Sequence, residues 1–253
     1  MADTIYTIPV SEAFEADSEC PVCELRRRFE SETVEYYAGP SLMEPDTRIQ
    51  TNDTGFCSRH FGMLYRSPTK KLGLGLVLDT YIGEQISRIK KYAGGEVSIG
   101  DEDEQKEKKG LFGKKKAPSS AQNLAKYIRK HECECAVCKK LDYTMDRYID
   151  IIFQQYRTND GFRENLRNSK GFCLPDTALL IETAEKKLPA RQAQEFCDTV
   201  SALLVKNLQR IEGEVDWFTK KFDYRNVDAD WGNSRDALPR GIQKMTGNID
   251  IKD

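Results

Sequence analysis

The chain has 253 residues, 39% of them apolar and 32% charged, with a net charge of −2. These values exclude a wholly disordered chain and give no reason to expect nucleic acid or an anionic membrane as the main partner. The longest apolar stretch, near Leu72 to Leu78, is too short to span a bilayer, and the opening MADTIYTIPVSEAFE lacks the regions of a secretory signal. A cytoplasmic location is therefore expected, where eight cysteines point to metal or redox chemistry more than to disulfides.

Taken in chain order, the first element is a charged helix in SECPVCELRRRFESE, from Ser18 to Glu32. Pro21 suits its first turn, where a missing N–H costs nothing. Cys20 and Cys23 stand at its head. Gly55 then marks a break ahead of a second helix start, GFCSRH, which carries Cys57 and His60. Leu78, Ile82, Ile86 and Ile89 recur at helical spacing beyond it. The glycines of LGLGL serve close helix packing, since the third glycine and preceding strand of a dinucleotide fingerprint are lacking. A charged linker is expected over residues 94–120, with an acidic block, a basic block and a Pro-Ser-Ser close. Its GLFGKK is no phosphate loop, because the required spacing is absent.

The pattern then returns. KHECECAVC brings His131, Cys133, Cys135 and Cys138, a helix follows with Leu141, Met145, Tyr148, Ile152 and Tyr156 on one face, and GFCLPD carries Cys173 and Asp176. Cys23 to Cys57 spans 34 positions and Cys138 to Cys173 spans 35, so the two copies repeat at an offset of 115 to 116 residues. The longest apolar stripe, Val200, Leu204, Leu208, Ile211, Val215, Phe218 and Phe222, describes a C-terminal helix that faces the core. No segment alternates as a strand does. The fold class is all-α, in two related helical halves with a long C-terminal helix. The expected division is a first cysteine-rich repeat over 1–93, the linker over 94–120, a second repeat over 121–190, and the long helix with an aromatic tail over 191–253.

Structural zinc takes four Cys or His ligands in a tetrahedron, and an x-x spacing lets one turn supply two of them. Pairing each C-x-x-C with the return motif that follows it gives Cys20, Cys23, Cys57 and His60 as the first zinc site. The second is Cys135, Cys138 and Cys173 with Asp176, where Cys133 and then His131 are alternatives for the fourth ligand. Thiolates at helix starts gain from the positive end of the helix dipole. Three cysteines and one unusual ligand could also hold an iron–sulfur cluster. Cys197 lies outside both sets and reads as core. In the tail, Trp217, Phe218, Phe222, Tyr224 and Trp231 alternate with Arg225, Arg235 and Arg240; a segment folded back on the bundle is favoured over a ligand surface.

CPVCEL, YYAGPSLMEPDTRIQTNDTGFCSRHF, GFCLPD and the tail WFTKKFDYRN…WGNSRDALPR together resemble a family of uncharacterised bacterial proteins common in anaerobic Gram-positive lineages. The resemblance covers nearly the whole chain. It implies two cysteine-rich repeats, the second usually ending in histidine where this chain has Asp176, and it brings no activity with it. Similar sequences are sometimes labelled ABC-transporter substrate-binding proteins, a reading that the missing export signal opposes. No catalytic set is read, since both histidines sit beside cysteine clusters and Glu-x-x-His pairs are absent. The expected function is a zinc-binding helical protein with a structural, interaction or regulatory role and an unknown protein partner or small ligand. The alternatives are a thiol or iron–sulfur redox or metal-sensing protein and, more weakly, a solute-binding protein.

Overall fold

The computed structural model describes residues 3–66, 71–92, 120–132 and 134–247. Among the described residues there are eleven α-helices and no strand, so the all-α expectation holds. They are α1 (Asp3–Glu15), α2 (Pro21–Ala38), α3 (Pro45–Thr54), α4 (Ser58–Arg66), α5 (Lys71–Tyr92), α6 (Ser120–Glu132), α7 (Ala136–Thr158), α8 (Asp160–Asn168), α9 (Leu174–Lys187), α10 (Ala190–Lys220) and α11 (Ala237–Thr246). The expected linker falls outside the described residues except for Ser120, which opens α6.

The chain divides into two compact units: residues 1–31 with 141–253 form unit 1, and residues 32–140 form unit 2. This division differs from the one expected from the repeats. Unit 1 takes the C-x-x-C of the first copy and the return motif of the second, and its boundaries fall inside α2 and α7.

The core of unit 1 is built from Phe14 and Leu25, the inner face of α7 with Ile149, Ile152, Phe153 and Tyr156, and Phe172, Leu180, Phe196 and Val200. The helical spacing of Leu141, Met145, Tyr148, Ile152 and Tyr156 is a core stripe, and all five are buried. The C-terminal stripe is core only in its first part. Val200 and Ile211 are buried, Leu204, Leu208, Val215 and Phe218 are half-buried, and Phe222 is 75% exposed. Cys197 is partly buried against this core.

Unit 2 packs Val34, Tyr37, Leu42, Phe56, Leu64, Leu74 and Val77 around the start of α7. Its face on α5 is set by Leu74 and Val77, whereas Ile82, Ile86 and Ile89 are exposed. Helical spacing marks a face without saying which neighbour covers it.

The tail folds back on α10. Lys221 reaches the carbonyls of Asn226, Val227 and Ala229 at 2.5, 2.9 and 2.5 Å, and its ammonium lies 5.2 Å from the Trp231 ring centre. Trp217 Nε1 donates to the Asp230 carbonyl at 2.9 Å, and Phe218 packs on Trp231. Tyr224, like Phe222, stays outside at 84% exposed.

Candidate metal centres

Each of the four motifs places one ligand just before a helix and one a turn inside it. Cys20 precedes α2, Cys57 precedes α4, Cys135 precedes α7, and Cys173 is the N-cap of α9. Cys23, His60, Cys138 and Asp176 follow three positions later, so the two side chains of a motif project to the same side of the helix start. In both C-x-x-C motifs the backbone N–H of the second cysteine donates to the sulfur of the first, at 3.4 Å for Cys23 to Cys20 and 3.5 Å for Cys138 to Cys135. Donors and dipole aimed at one sulfur favour a thiolate there.

The two G-F-C returns have a shared logic. Gly55 and Gly171 both adopt positive φ, 59° and 70°, which favours glycine. A Cβ on Gly55 would collide with the Tyr81 ring at 2.5 Å. Phe56 and Phe172 anchor the turn in the core of their own unit, and the cysteine then begins the helix. The Gly55 carbonyl accepts from the Ala136 N–H at 3.0 Å, tying this return to the second C-x-x-C.

The ligand sets are crossed relative to the sequence pairing. In unit 1, Cys20 and Cys23 meet Cys173 and Asp176; in unit 2, Cys57 and His60 meet Cys135 and Cys138, and in each set the candidate ligand atoms lie within 4.8 Å of one another. The expectation that Cys20 and Cys23 join Cys57 and His60 is thus corrected, as is the pairing of Cys135 and Cys138 with Cys173 and Asp176. Short sequence separation was a weak guide. Closing 153 positions between Cys20 and Cys173 rather than 37 between Cys20 and Cys57 costs only about 1 kcal/mol more in chain entropy. Packing of the helices decides instead.

In unit 1 the sulfurs of Cys20 and Cys23 lie 3.9 and 3.6 Å from that of Cys173, and Asp176 Oδ2 lies 3.4, 3.3 and 3.0 Å from Cys20, Cys23 and Cys173. In unit 2 His60 Nδ1 lies 3.1, 3.3 and 3.5 Å from the sulfurs of Cys57, Cys135 and Cys138, with Cys57 and Cys138 3.9 Å apart. A tetrahedral zinc with sulfur at 2.3 Å has sulfurs about 3.8 Å apart, and shorter edges to nitrogen or oxygen. Both sets match this spacing. Asp176 Oδ2 is thus one of the four atoms of unit 1 that could hold an ion, while its Oδ1 accepts from Arg26 Nη2 at 3.1 Å. The alternatives for that position fare differently. His131 lies in neither set; its ring packs on Tyr127 at 4.3 Å and its Nδ1 is 3.6 Å from Glu134. Cys133 lies outside the described residues.

Proton affinities of the thiols show how each set concentrates negative charge. Burial opposes the Cys20 thiolate, yet hydrogen bonds from Cys173 and Cys23 outweigh it and hold its pKa well below the usual thiol range. Cys23 and Cys173 are pushed up, chiefly by their hydrogen bonds within the cluster. In unit 2 burial again works against ionisation of Cys135, but hydrogen bonding with His60 and with backbone N–H groups brings it down to about 6. Burial and the neighbouring Cys135 charge raise Cys138. Burial also raises Asp176, against the pull of Arg26.

Sequence reasoning missed the supports of the unit 1 centre. Glu19, adjoining Cys20, is buried; its carboxylate meets Arg210 at 2.6 Å, Arg240 and Lys244 at 3.5 Å, and Lys170 at 4.0 Å. Lys244, 1% exposed, donates to the backbone carbonyls of Glu19 and, at 2.5 Å, Lys170. A Cβ on Gly247, at the end of α11, would lie 3.8 Å from the Cys173 sulfur. The last helix, α11, and the glycine that ends it therefore brace both arms of this centre. Burial draws the Lys244 ammonium pKa down, while Glu19 and Cys20 oppose the loss of its charge.

The whole-chain resemblance agrees with a family assignment. The chain belongs to a family of unknown function, DUF6062. The family match spans residues 1–252, which include every motif of both centres. Neither the curated proteins nor the solved structures hold a match to this chain. Among the described residues no helix is long and apolar enough to cross a membrane.

Proposed function

We propose that this member of DUF6062 is a cytoplasmic zinc protein with two structural ions, each clamping two helix starts, and that the clamped scaffold serves an interaction or regulatory role. The observation that carries it is the convergence of two four-ligand sets within 4.8 Å, each with three cysteines. Three thiolates with an imidazole suit structural zinc, and carboxylate oxygen is also an accepted zinc ligand. The absence of disulfides among the described cysteines is in keeping with a reducing compartment.

A redox reading based on an iron–sulfur cluster is less well supported. A cluster spreads its thiolates over separate irons, whereas the ligand atoms of each set here all lie within 4.8 Å of one another, which fits one ion. Elemental analysis of protein purified without added metal tests the proposal. Two zinc ions per chain and no visible absorbance are expected. Less than one zinc per chain, or a coloured iron-containing protein after anaerobic purification, would refute it.

A further inference from the structure

Away from the metal ligands, unit 2 has a depression of about 590 Å³ lined by Arg88 and Lys91 of α5 and Lys126, Tyr127, Lys130 and His131 of α6. Arg88 is satisfied by Asp53 and Glu84, each at 3.0 Å. Glu134, the other acid of the lining, stands 3.6 Å from His131 and 4.0 Å from Lys139. Among the described residues Lys91, Lys126 and Lys130 form no ion pair, and His131 Nδ1 is buried without a hydrogen-bond partner. Cations in a last helical turn are favoured by the dipole, which accounts for Lys91 and Lys130. It does not account for Lys126. Lys126 and Lys130 stand four apart, a like-charge spacing that destabilises a helix unless an anion lies between. Tyr127 is held rigidly beside them, stacked on Tyr92 at 4.6 Å and donating to Gln85 Oε1 at 2.6 Å.

We propose that this depression binds a small polyanion of the phosphate-ester or polyphosphate class. Its volume falls in the range of small-molecule sites. Three uncompensated ammonium groups call for a ligand with more than one negative charge, and lysine acts toward phosphate as a point charge that needs no fixed geometry. The chain's overall charge of −2 makes this local excess a feature of the site rather than of the composition.

The test is calorimetric titration of the full, metal-loaded chain with inorganic pyrophosphate at low ionic strength. Saturable binding is expected. Lys126→Ala with Lys130→Ala should weaken it about tenfold or more, as the loss of two charge-assisted contacts implies. Lys126→Arg with Lys130→Arg, which keeps the charge, should stay within about threefold. All these lysines are exposed, so folding and metal content should be unchanged. An equal loss in the control pair Lys186→Ala with Lys206→Ala, exposed in unit 1, would overturn the proposal by showing diffuse attraction. So would the absence of saturable binding.

Discussion

The two centres use one motif to different ends. In unit 1 all four ligands are at most 2% exposed, and in unit 2 His60 and Cys135 are equally buried while Cys57 and Cys138 are partly open. On the proposed reading, three thiolates and a carboxylate would leave two excess negative charges around a divalent ion, and three thiolates with a neutral imidazole would leave one. The added charge of unit 1 is met by Arg26 on Asp176 and by the buried Lys244 beside Cys20. Replacing an imidazole by a carboxylate therefore demands local cations, because a buried charge without a partner is costly.

The largest expected effect separates the crossed pairing from the one suggested by sequence order. Cys20→Ser with Cys173→Ser should remove one metal per chain, since both changes strike the same set, whereas Cys20→Ser with Cys57→Ser should remove both. Elemental analysis counts the ions, and thermal unfolding should report a large loss for each, because a structural zinc contributes roughly 10 kcal/mol or more. One ion lost from the second pair would restore the sequence-order pairing. Acid comes next. Metal uptake must displace protons from Cys23 and Cys173 in unit 1 and from Cys138 in unit 2, the thiols held above their usual range. Zinc-linked stability is thus present at high pH and lost as pH falls. Affinity should drop by at least about tenfold per pH unit in both units, measured by competition with a coloured chelator; a pH-independent affinity would refute the displacement of thiol protons.

Helix content, the ligand types and their place at helix starts were legible in the sequence, because spacing, proline and glycine all act locally. The crossing was not, since loop entropy separates the two pairings only weakly. One clue was present. Arg26 corresponds in the repeat to Leu141, and Asp176 to His60, and these two departures from the repeat form an ion pair in unit 1. Glu19 and Lys244 gave no comparable signal, because they lie 225 positions apart and meet only through the packing of α11.

A smaller effect tests the brace itself. Lys244→Met keeps the aliphatic stem but leaves Glu19 short of a buried cation and frees the carbonyl beside Cys20. Glu19 keeps Arg210, Arg240 and Lys170, so the cost is that of buried carbonyls left without their donor, about 1–3 kcal/mol, and supports behind metal ligands affect affinity about 10- to 100-fold. Unit 1 zinc should exchange faster with chelator while unit 2 zinc is unaffected, so equal acceleration in both units would reduce Lys244 to a general stability contact.

The smallest effect comes from a matched pair of substitutions. Arg26→Met removes the partner of Asp176 Oδ1, a group 97% buried whose proton affinity is already raised by burial. Without the guanidinium the carboxylate holds its proton more tightly, so metal binding in unit 1 should weaken a few-fold at neutral pH and more in mild acid. Lys139→Met removes a cation 4.0 Å from Glu134 and 52% exposed, close in sequence to Cys138. Solvent screens that pair, and its loss should stay within about 0.5 kcal/mol with unit 2 metal unchanged. The difference between the two substitutions measures how far a carboxylate ligand depends on a cation of its own.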